Sequence, residues 1–327
     1  MRKNIALVTG GYSGESVISY KSAATIDNNL DRNKYNVYKI DIRKDGWLYE
    51  MPDGRKIEVD KNDFSLHFDN ETVKFDLVFI GMHGTPGEDG KLQGYFDTLG
   101  IPYTGCDAAT SAITFNKRYT VAVAKMAGVP VANSIHLFKH TPVPVSKIME
   151  QLKLPLFVKP NNGGSSIGMS KVNRPEDLEG AITKAFREDD QVLIEEMIRG
   201  REFTIGVFRD KGKITPLPFT EIMSKKDFFD YEAKYEGASS EMTPAEVDET
   251  IAGKVRETAK KIYEVLNCRG VVRIDFIYNE EAGRPYMLEV NTIPGQSEVS
   301  IVPVQVRTMG WSLKEFYTKL VEEALEK

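Results

Sequence analysis

Arg273, Asp275, Glu289 and Asn291 are polar residues at strand-like positions where an ordinary hairpin would carry apolar ones. In Arg273-Ile274-Asp275-Phe276 charged and apolar residues alternate, and the same period in Met287-Leu288-Glu289-Val290-Asn291 puts Glu289 and Asn291 on one face. The intervening Asn279–Pro285 contains Gly and Pro and fits the turn of an antiparallel pair. Two carboxylates and an amide oxygen on adjacent strands form a hard, oxygen-only ligand set. That set suits Mg2+ or Mn2+ on the phosphates of a nucleotide better than zinc. Arg273 would face whatever anion the metal organises. Taken alone, the four residues fit equally a solvated hairpin face with cross-strand ion pairs, so the choice rests on what accompanies them.

Lys159-Pro-Asn-Asn-Gly-Gly-Ser-Ser-Ile-Gly168 lies between two strand-like runs and lacks the GK[ST] ending of a P-loop. It reads as a hairpin flap whose glycines let backbone N–H groups approach an anion. Lys159, and Lys117 near the start of a helical run, can place point charges on phosphates, although either lysine alone would pass for a surface residue. Leu193–Glu202 ends a strand with Glu195, apolar Met197 and Ile198, and a second carboxylate, Glu202. An adenosine pocket needs such a set: an acceptor for the exocyclic amine, apolar walls, and acceptors for the ribose hydroxyls. A strand end at the surface accounts for it as well. Glu15 follows a glycine turn before a helix, where it could meet an ammonium group or simply favour the helix dipole.

The elements that must carry these residues are alternating strand and helix signals. Ile5–Val8, Tyr35–Ile40 and Phe75–Ile80 read as strands, Ser16–Leu30 as a helix, and Trp47–Val59 as a hairpin insertion, giving an α/β layer with a parallel sheet over the first hundred residues. Two Gly-rich turns, 9–15 and 82–90, follow strands at the edge where open parallel sheets bind ligands. The texture then changes. A helix over Phe115–Gly128, extended chain at Val129–Val131, strands at Leu154–Val158, Met169–Val172, Gln191–Glu196 and Glu202–Val207, and helices over Pro175–Arg187 and Ala245–Leu266 predict an α+β C-terminal half. Three domains follow: 1–107, 108–198 with the flap, and 199–327 with the metal hairpin and the loop Ser224–Ser240. That loop carries Phe228, Phe229, Tyr231 and Tyr235 and is suited to closing as a lid.

With 327 residues, 41% hydrophobic and 28% charged, the chain can build sizeable cores and is not disordered. A net charge of −5 argues against nucleic acid as a partner. There is no membrane-spanning apolar run and no signal-peptide core, so a cytoplasmic location is expected. Cys106 and Cys268, far apart in sequence and outside metal spacing, are expected as buried, reduced thiols.

In order along the chain, GGYSGES, HGTPGEDGKLQGYFDTLGIPYTG, the NK at 116 and 117, LFVKPNNGGSSIGMSKV, VLIEEMIRGREFTIGV, FDYEAKY with SSEMTPA, RIDF and LEVNTIPGQSEVSIVP resemble the D-alanine:D-alanine ligases of the ATP-grasp superfamily, over essentially the full length. The resemblance implies ATP-dependent peptide synthesis: one D-alanine carboxylate attacks the γ-phosphate, and the amine of a second D-alanine attacks the acyl phosphate. It implies Lys117 and Lys159 on the α and β phosphates, Lys234 on the γ-phosphate, Glu195 and Glu202 on adenine and ribose, and two Mg2+ held by Asp275, Glu289 and Asn291. Arg273 and the Gly295 N–H would stabilise the tetrahedral oxyanion. Glu15, bonded with Ser165 and Tyr235, would bind the first alanine's ammonium, with His83 beside that alanine and Ser300 on the second alanine's carboxylate. A homodimer is implied as well. The chain departs from the common pattern at Thr85-Pro86, at Glu196 where a lysine is frequent, and in GQSEVS. A relative using D-lactate or D-serine as second substrate, and a nucleotide-binding module without catalysis, are the alternatives. EAKY in the lid resembles the dipeptide-forming type, and the joint presence of Arg273, both lysines and the metal set disfavours the module.

Overall fold

The structure is a computed structural model that describes residues 2–164, 167–224 and 239–326. β1 (Lys3–Gly10) leads into α1 (Ser16–Asn29), and β2 (Tyr35–Arg43), β3 (Gly46–Glu50), β4 (Lys56–Asp60), β5 (Ser65–His67), β6 (Thr72–Val73) and β7 (Leu77–Ile80) complete a sheet in the order β6-β5-β4-β3-β2-β1-β7. Only β2-β1-β7 is parallel, and the rest of the sheet is antiparallel. These three are the strands expected as the parallel layer, and the hairpin expected over Trp47–Val59 is β3 with β4, which extend its edge. Short turns join β2 through β6, and a short turn can only reverse a strand, whereas a parallel return needs a crossover such as α1. β1 is buried on both faces, as a central parallel strand must be. Ile5 and Leu7 pack with α1 residues Ala23 and Ile26, while Ala6 and Val8 face the opposite core with Ile40 and Phe96.

α2 (Lys91–Leu99), α3 (Ala108–Phe115) and α4 (Lys117–Met126) lead to a second sheet. It holds β8 (Ser134–Phe138), β9 (Leu156–Pro160), β10 (Ser170–Val172) and β11 (Gln191–Glu196) in the order β10-β9-β11-β8, with α5 (Val145–Met149) and α6 (Leu178–Ala185) in its connections. Val129–Val131 is not itself a strand, since β8 begins at Ser134. The helix expected from Pro175 opens instead as a 3-10 turn, Pro175–Asp177, before α6.

The third sheet contains β12 (Arg201–Asp210), β13 (Lys213–Pro216), β14 (Thr220–Ser224), β15 (Ser239–Met242), β16 (Val272–Asn279) and β17 (Arg284–Asn291), ordered β15-β14-β12-β16-β17 with β13 on β12. Between β15 and β16 lies α7 (Glu249–Val265). It starts later than the expected Ala245 for two reasons: the Ala245 N–H is taken by the Phe219 carbonyl, and Asp248 caps the helix by accepting from the Ile251 N–H at 2.9 Å. α8 (Ile301–Thr308) and α9 (Leu313–Leu325) end the chain, and Phe316, Tyr317 and Leu320 of α9 return to the first sheet's core. Cys106 and Cys268 are free and buried, as expected, and the fold makes them neighbours: contact with Cys106 and then burial push the Cys268 thiol up. Among the described residues no helix is long and apolar enough to cross a membrane.

Candidate active site

The loops at the strand ends of all three sheets enclose one cavity of about 860 Å3. Every sequence-predicted site residue among the described ones lines it: Glu15, His83, Lys117, Lys159, Glu195, Ile198, Glu202, Arg273, Asp275, Glu289, Asn291, Gly295 and Ser300. Ser165, Lys234 and Tyr235, and the lid aromatics Phe228, Phe229 and Tyr231, lie outside the described residues.

The β16–β17 hairpin sets the acidic end. Asp275 stands directly across from Glu289, and Arg273 across from Asn291, with a bulge after Asp275 that re-aims the strand. Arg273 forks onto Asp275, donating from Nε to Oδ1 and from Nη2 to Oδ2, each at 2.9 Å. Asn291 Nδ2 donates to Asp275 Oδ2 at 3.2 Å, and Thr204 of β12 donates its hydroxyl to Oδ1. The Glu289 carboxylate lies 4.0 Å from Arg273 Nη2. Burial works to lower the Arg273 pKa, but Asp275 and Glu289 hold it above its ordinary value, so the guanidinium is permanently charged. Sequence reading placed Arg273 against an anion of the ligand; here two of its donors are engaged by Asp275.

The opposite end is basic at the flap. Lys159 near the end of β9 reaches Glu195 of β11 across an antiparallel pair, Nζ to Oε1 at 2.5 Å, with both side chains largely buried. A residue assigned to phosphate and one assigned to adenine therefore neutralise each other in this state. Lys117 opens α4 and donates from Nζ to the Gly163 carbonyl of the flap at 2.7 Å. Arg201 forks onto Glu221 at 2.7 Å on both arms, building a wall of the cavity that sequence reading did not single out.

At the first sheet's edge, Glu15 stands at the N-terminus of α1 but its side chain makes no capping bond there. It extends instead between two glycines. A Cβ at Gly84 would come within 2.6 Å of Glu15 Oε2, and one at Gly164 within 2.9 Å of Oε1; Gly84 also needs its φ of +66°. The carboxylate thus occupies space kept open by the turn after β7 and by the flap, which favours a ligand role over a dipole role.

Glu88, inside the HGTPGEDG run yet given no role from sequence, accepts from the Gly84 N–H at 2.6 Å and the Ile293 N–H at 3.4 Å. It ties the turn after β7 to the turn after β17. Burial pushes its pKa up to about 8, against the pull of the Gly84 N–H. The only hint in the sequence was its place in a Gly-rich turn.

His83 is buried, and burial, with Arg273 nearby, brings its pKa down to about 4 while a bond to the Ile293 backbone works the other way. Below the ordinary histidine value near 6.5 the unfolded chain binds a proton that the folded chain refuses, so stability falls as pH drops from about 6.5 to about 4. The expected loss from this group is about 3 kcal/mol. Glu88 contributes the opposite slope as pH rises, so the test is a difference. Denaturant melts of wild type and His83→Gln across pH 4–7 should show the wild-type minus variant stability shrinking with acid. A pH-independent difference would mean that His83 titrates normally.

Two family models cover most of the chain: "D-ala D-ala ligase N-terminus" matches residues 4–106 and "D-ala D-ala ligase C-terminus" residues 123–322. A D-alanine--D-alanine ligase of Flavobacterium johnsoniae is 45% identical over 323 residues, 99% of each chain. Among solved structures, the VanG D-Ala:D-Ser ligase from Enterococcus faecalis superposes with a TM-score of 0.89 at 31% identity, covering 99% of this chain and 100% of that one. A D-alanine--D-alanine ligase from Bacillus anthracis complexed with ATP gives 0.79 at 26% identity, covering 99% and 98%.

Proposed function

Because the chain belongs to the D-alanine–D-alanine ligase family, with the ATP-grasp fold, we infer that it joins two D-alanine molecules into D-alanyl-D-alanine for peptidoglycan precursor synthesis, at the expense of ATP. The first D-alanine carboxylate attacks the γ-phosphorus and ADP leaves. The amine of the second then attacks the acyl carbon of D-alanyl phosphate, and phosphate leaves. The observation that carries this reading is the cavity in which the Glu15 carboxylate, Lys159 of the flap and Lys117 of α4 beside it, the paired Arg273 and an oxygen-rich hairpin converge.

In that division of labour Glu15, between its two glycines, takes the first alanine's ammonium with Ser165 and Tyr235, and His83 packs beside it. Lys117 and Lys159 take the α and β phosphates and Lys234 the γ-phosphate. Glu195 and Glu202, with Ile198 as an apolar wall, receive adenine and ribose, which requires Lys159 to exchange its Glu195 partner for phosphate. Arg273 and the Gly295 N–H stabilise the oxyanion, and Ser300, at the N-terminus of α8, receives the second carboxylate.

Asp275, Glu289 and Asn291 fit Mg2+ or Mn2+, because their donors are hard oxygens facing one another across β16 and β17. The Asn291 amide presents Nδ2 to Asp275, and turning it over offers its oxygen. Two such ions would neutralise phosphate charge during transfer. We divide the chain at 107 and 198 into three domains, and place the enzyme in the cytoplasm as a homodimer.

The D-Ala:D-Ser ligase likeness keeps D-serine open as a second substrate. Mass spectrometry of products from ATP, Mg2+ and a mixture of D-alanine, D-serine and D-lactate tests the reading. D-Alanyl-D-alanine should dominate; a dominant mixed product would move the chain to the variant ligases, and no D-alanine-dependent ADP release would refute ligation.

A further inference from the structure

Behind the cavity runs a buried hydrogen-bonded chain to which the reaction above assigns no part. Tyr317 of α9 donates its hydroxyl to Gln296 Oε1 at 3.2 Å, and Gln296 Nε2 donates to the Pro294 carbonyl at 3.2 Å. The Gln296 N–H donates to Ser22 Oγ of α1 at 3.1 Å, and Ser22 Oγ lies 2.9 Å from His83 Nε2. Ser22 and Tyr317 are fully buried, and Gln296 and His83 nearly so. Gln296 stands in GQSEVS, one of the places where this chain leaves the pattern it otherwise resembles.

Donor and acceptor bookkeeping fixes the polarity of each link. A buried phenol donates, so Gln296 must turn its oxygen to Tyr317 and its NH2 to Pro294. Ser22 Oγ already accepts from Gln296, and its own proton has His83 Nε2 as its recorded partner among the described residues. If Nε2 carried the proton instead, the Ser22 hydroxyl hydrogen would be buried without an acceptor, which is costly. The ring therefore accepts at Nε2 and holds its proton on Nδ1.

The chain links α1 and the turn after β7 to the turn after β17 and to α9. The first alanine's side has separate supports: Glu88 on the Gly84 N–H, and Ser19 Oγ accepting the His83 N–H at 2.9 Å. Segment 293–300 is also tied by Glu88 on the Ile293 N–H and by Arg307 on the Glu298 carbonyl, but the chain grips its middle at Pro294 and Gln296, beside Gly295 and Ser300, which sit so close that a Cβ on Gly295 would lie 3.0 Å from Ser300 Oγ. We propose that Ser22, Gln296 and Tyr317 are positioning residues for the second D-alanine, clamping segment 293–300 against His83 so that the Ser300 hydroxyl meets that substrate's carboxylate in register with the Gly295 N–H, which faces the oxyanion formed when its amine attacks. The proposal rests on the ligase reading above.

The test compares wild type with Ser22→Ala, Gln296→Met and Tyr317→Phe in ADP-release assays that resolve separate KM values for the first and second D-alanine and for ATP. Loss of one buried hydrogen bond in the clamp should raise the second KM about tenfold in Ser22→Ala, with the other two constants changed by less than about twofold. Tyr317→Phe, which removes a single oxygen, should show the same selectivity to a smaller degree and carries the test should Ser22→Ala fail to fold. Histidine 15N spectra should show His83 protonated on Nδ1 in wild type at pH 7 and shifted towards Nε2 protonation in Ser22→Ala. A wild-type ring protonated on Nε2, or variants in which all three KM values move together or none moves, overturns the clamp. Wild type that releases no ADP with D-alanine refutes the ligase reading instead.

Discussion

Glu289→Gln should abolish most D-alanine-dependent ADP release, by about a hundredfold or more at saturating Mg2+, while the protein stays folded. Glu289 faces Asp275 across the hairpin, and its side chain is about one-third exposed in the cavity rather than packed in a core. The substitution keeps size and one oxygen but removes the charge that a divalent cation on a triphosphate requires, since hard cations draw their affinity from anionic oxygen. It also removes a negative group 4.0 Å from Arg273, leaving that guanidinium with Asp275 as its nearest carboxylate. The fold should survive because β16 and β17 pair through their backbones, and Ile274, Phe276, Met287 and Val290 supply the buried contacts. The measurement is a Mg2+ titration of ADP release alongside circular dichroism and a thermal melt. Near-normal turnover at saturating Mg2+ would remove Glu289 from the metal set, and partial recovery with Mn2+ would support it.

The same hairpin shows how far the sequence could be read. Strict alternation in Val272–Asn279 and Arg284–Asn291 is a local signal, and the structure places the four polar residues on paired strands as the period requires. β11 was legible to the residue, and β9 and β12 nearly so, because short apolar runs bounded by turn residues carry their own limits. Non-local facts were not legible. The hairpin read over Trp47–Val59 appears as β3 and β4, but nothing in the first eighty residues states that it joins the edge of the parallel strands and continues through β5 and β6, since strand partners are chosen by tertiary packing. The adjacency of Cys106 and Cys268, 162 positions apart, is likewise a property of the fold. α8 and α9 left a fainter trace, although Ser312 and Glu315, three residues apart, form the capping box that opens α9.

At the site, the resemblance to a family supplied roles that spacing alone could not, while Glu88, Glu221 and the Ser22–Gln296–Tyr317 chain escaped both kinds of reading. A buried carboxylate or serine in such a place has no distinctive neighbours in sequence. Its function lies in bonds to segments more than two hundred residues away, such as Glu88 to Ile293 and Ser22 to Gln296. The Lys159–Glu195 ion pair escaped for a different reason. Each residue reads as a candidate ligand group, but that they would meet diagonally across β9 and β11, Lys159 opposite Leu193 and Glu195 opposite Phe157, follows only from the register.

Arg273→Lys should lower kcat by about a hundredfold while raising the KM for ATP much less. The planar guanidinium has five N–H donors. Nε and Nη2 each give one to Asp275, at 2.9 Å, and the remaining three are available to the cavity in which Arg273 lies. One rigid group can therefore anchor the strand and face a developing oxyanion without moving. A lysine ammonium keeps the positive charge but is a single flexible point; satisfying Asp275 would draw it away from the reacting carbon, and reaching that carbon would leave the buried Asp275 with a poorer partner. Because the proposed function gives the ground-state nucleotide chiefly to other groups, Lys117, Lys159 and the hairpin carboxylates through metal, the loss should fall on the step in which charge moves onto the carbonyl oxygen. Steady-state kinetics at saturating D-alanine with varied ATP measure the split, and the thermal midpoint shows whether the Asp275 pairing survives. If kcat is unchanged and the KM for ATP rises a hundredfold, Arg273 binds nucleotide, and the oxyanion must be stabilised by the Gly295 N–H without it.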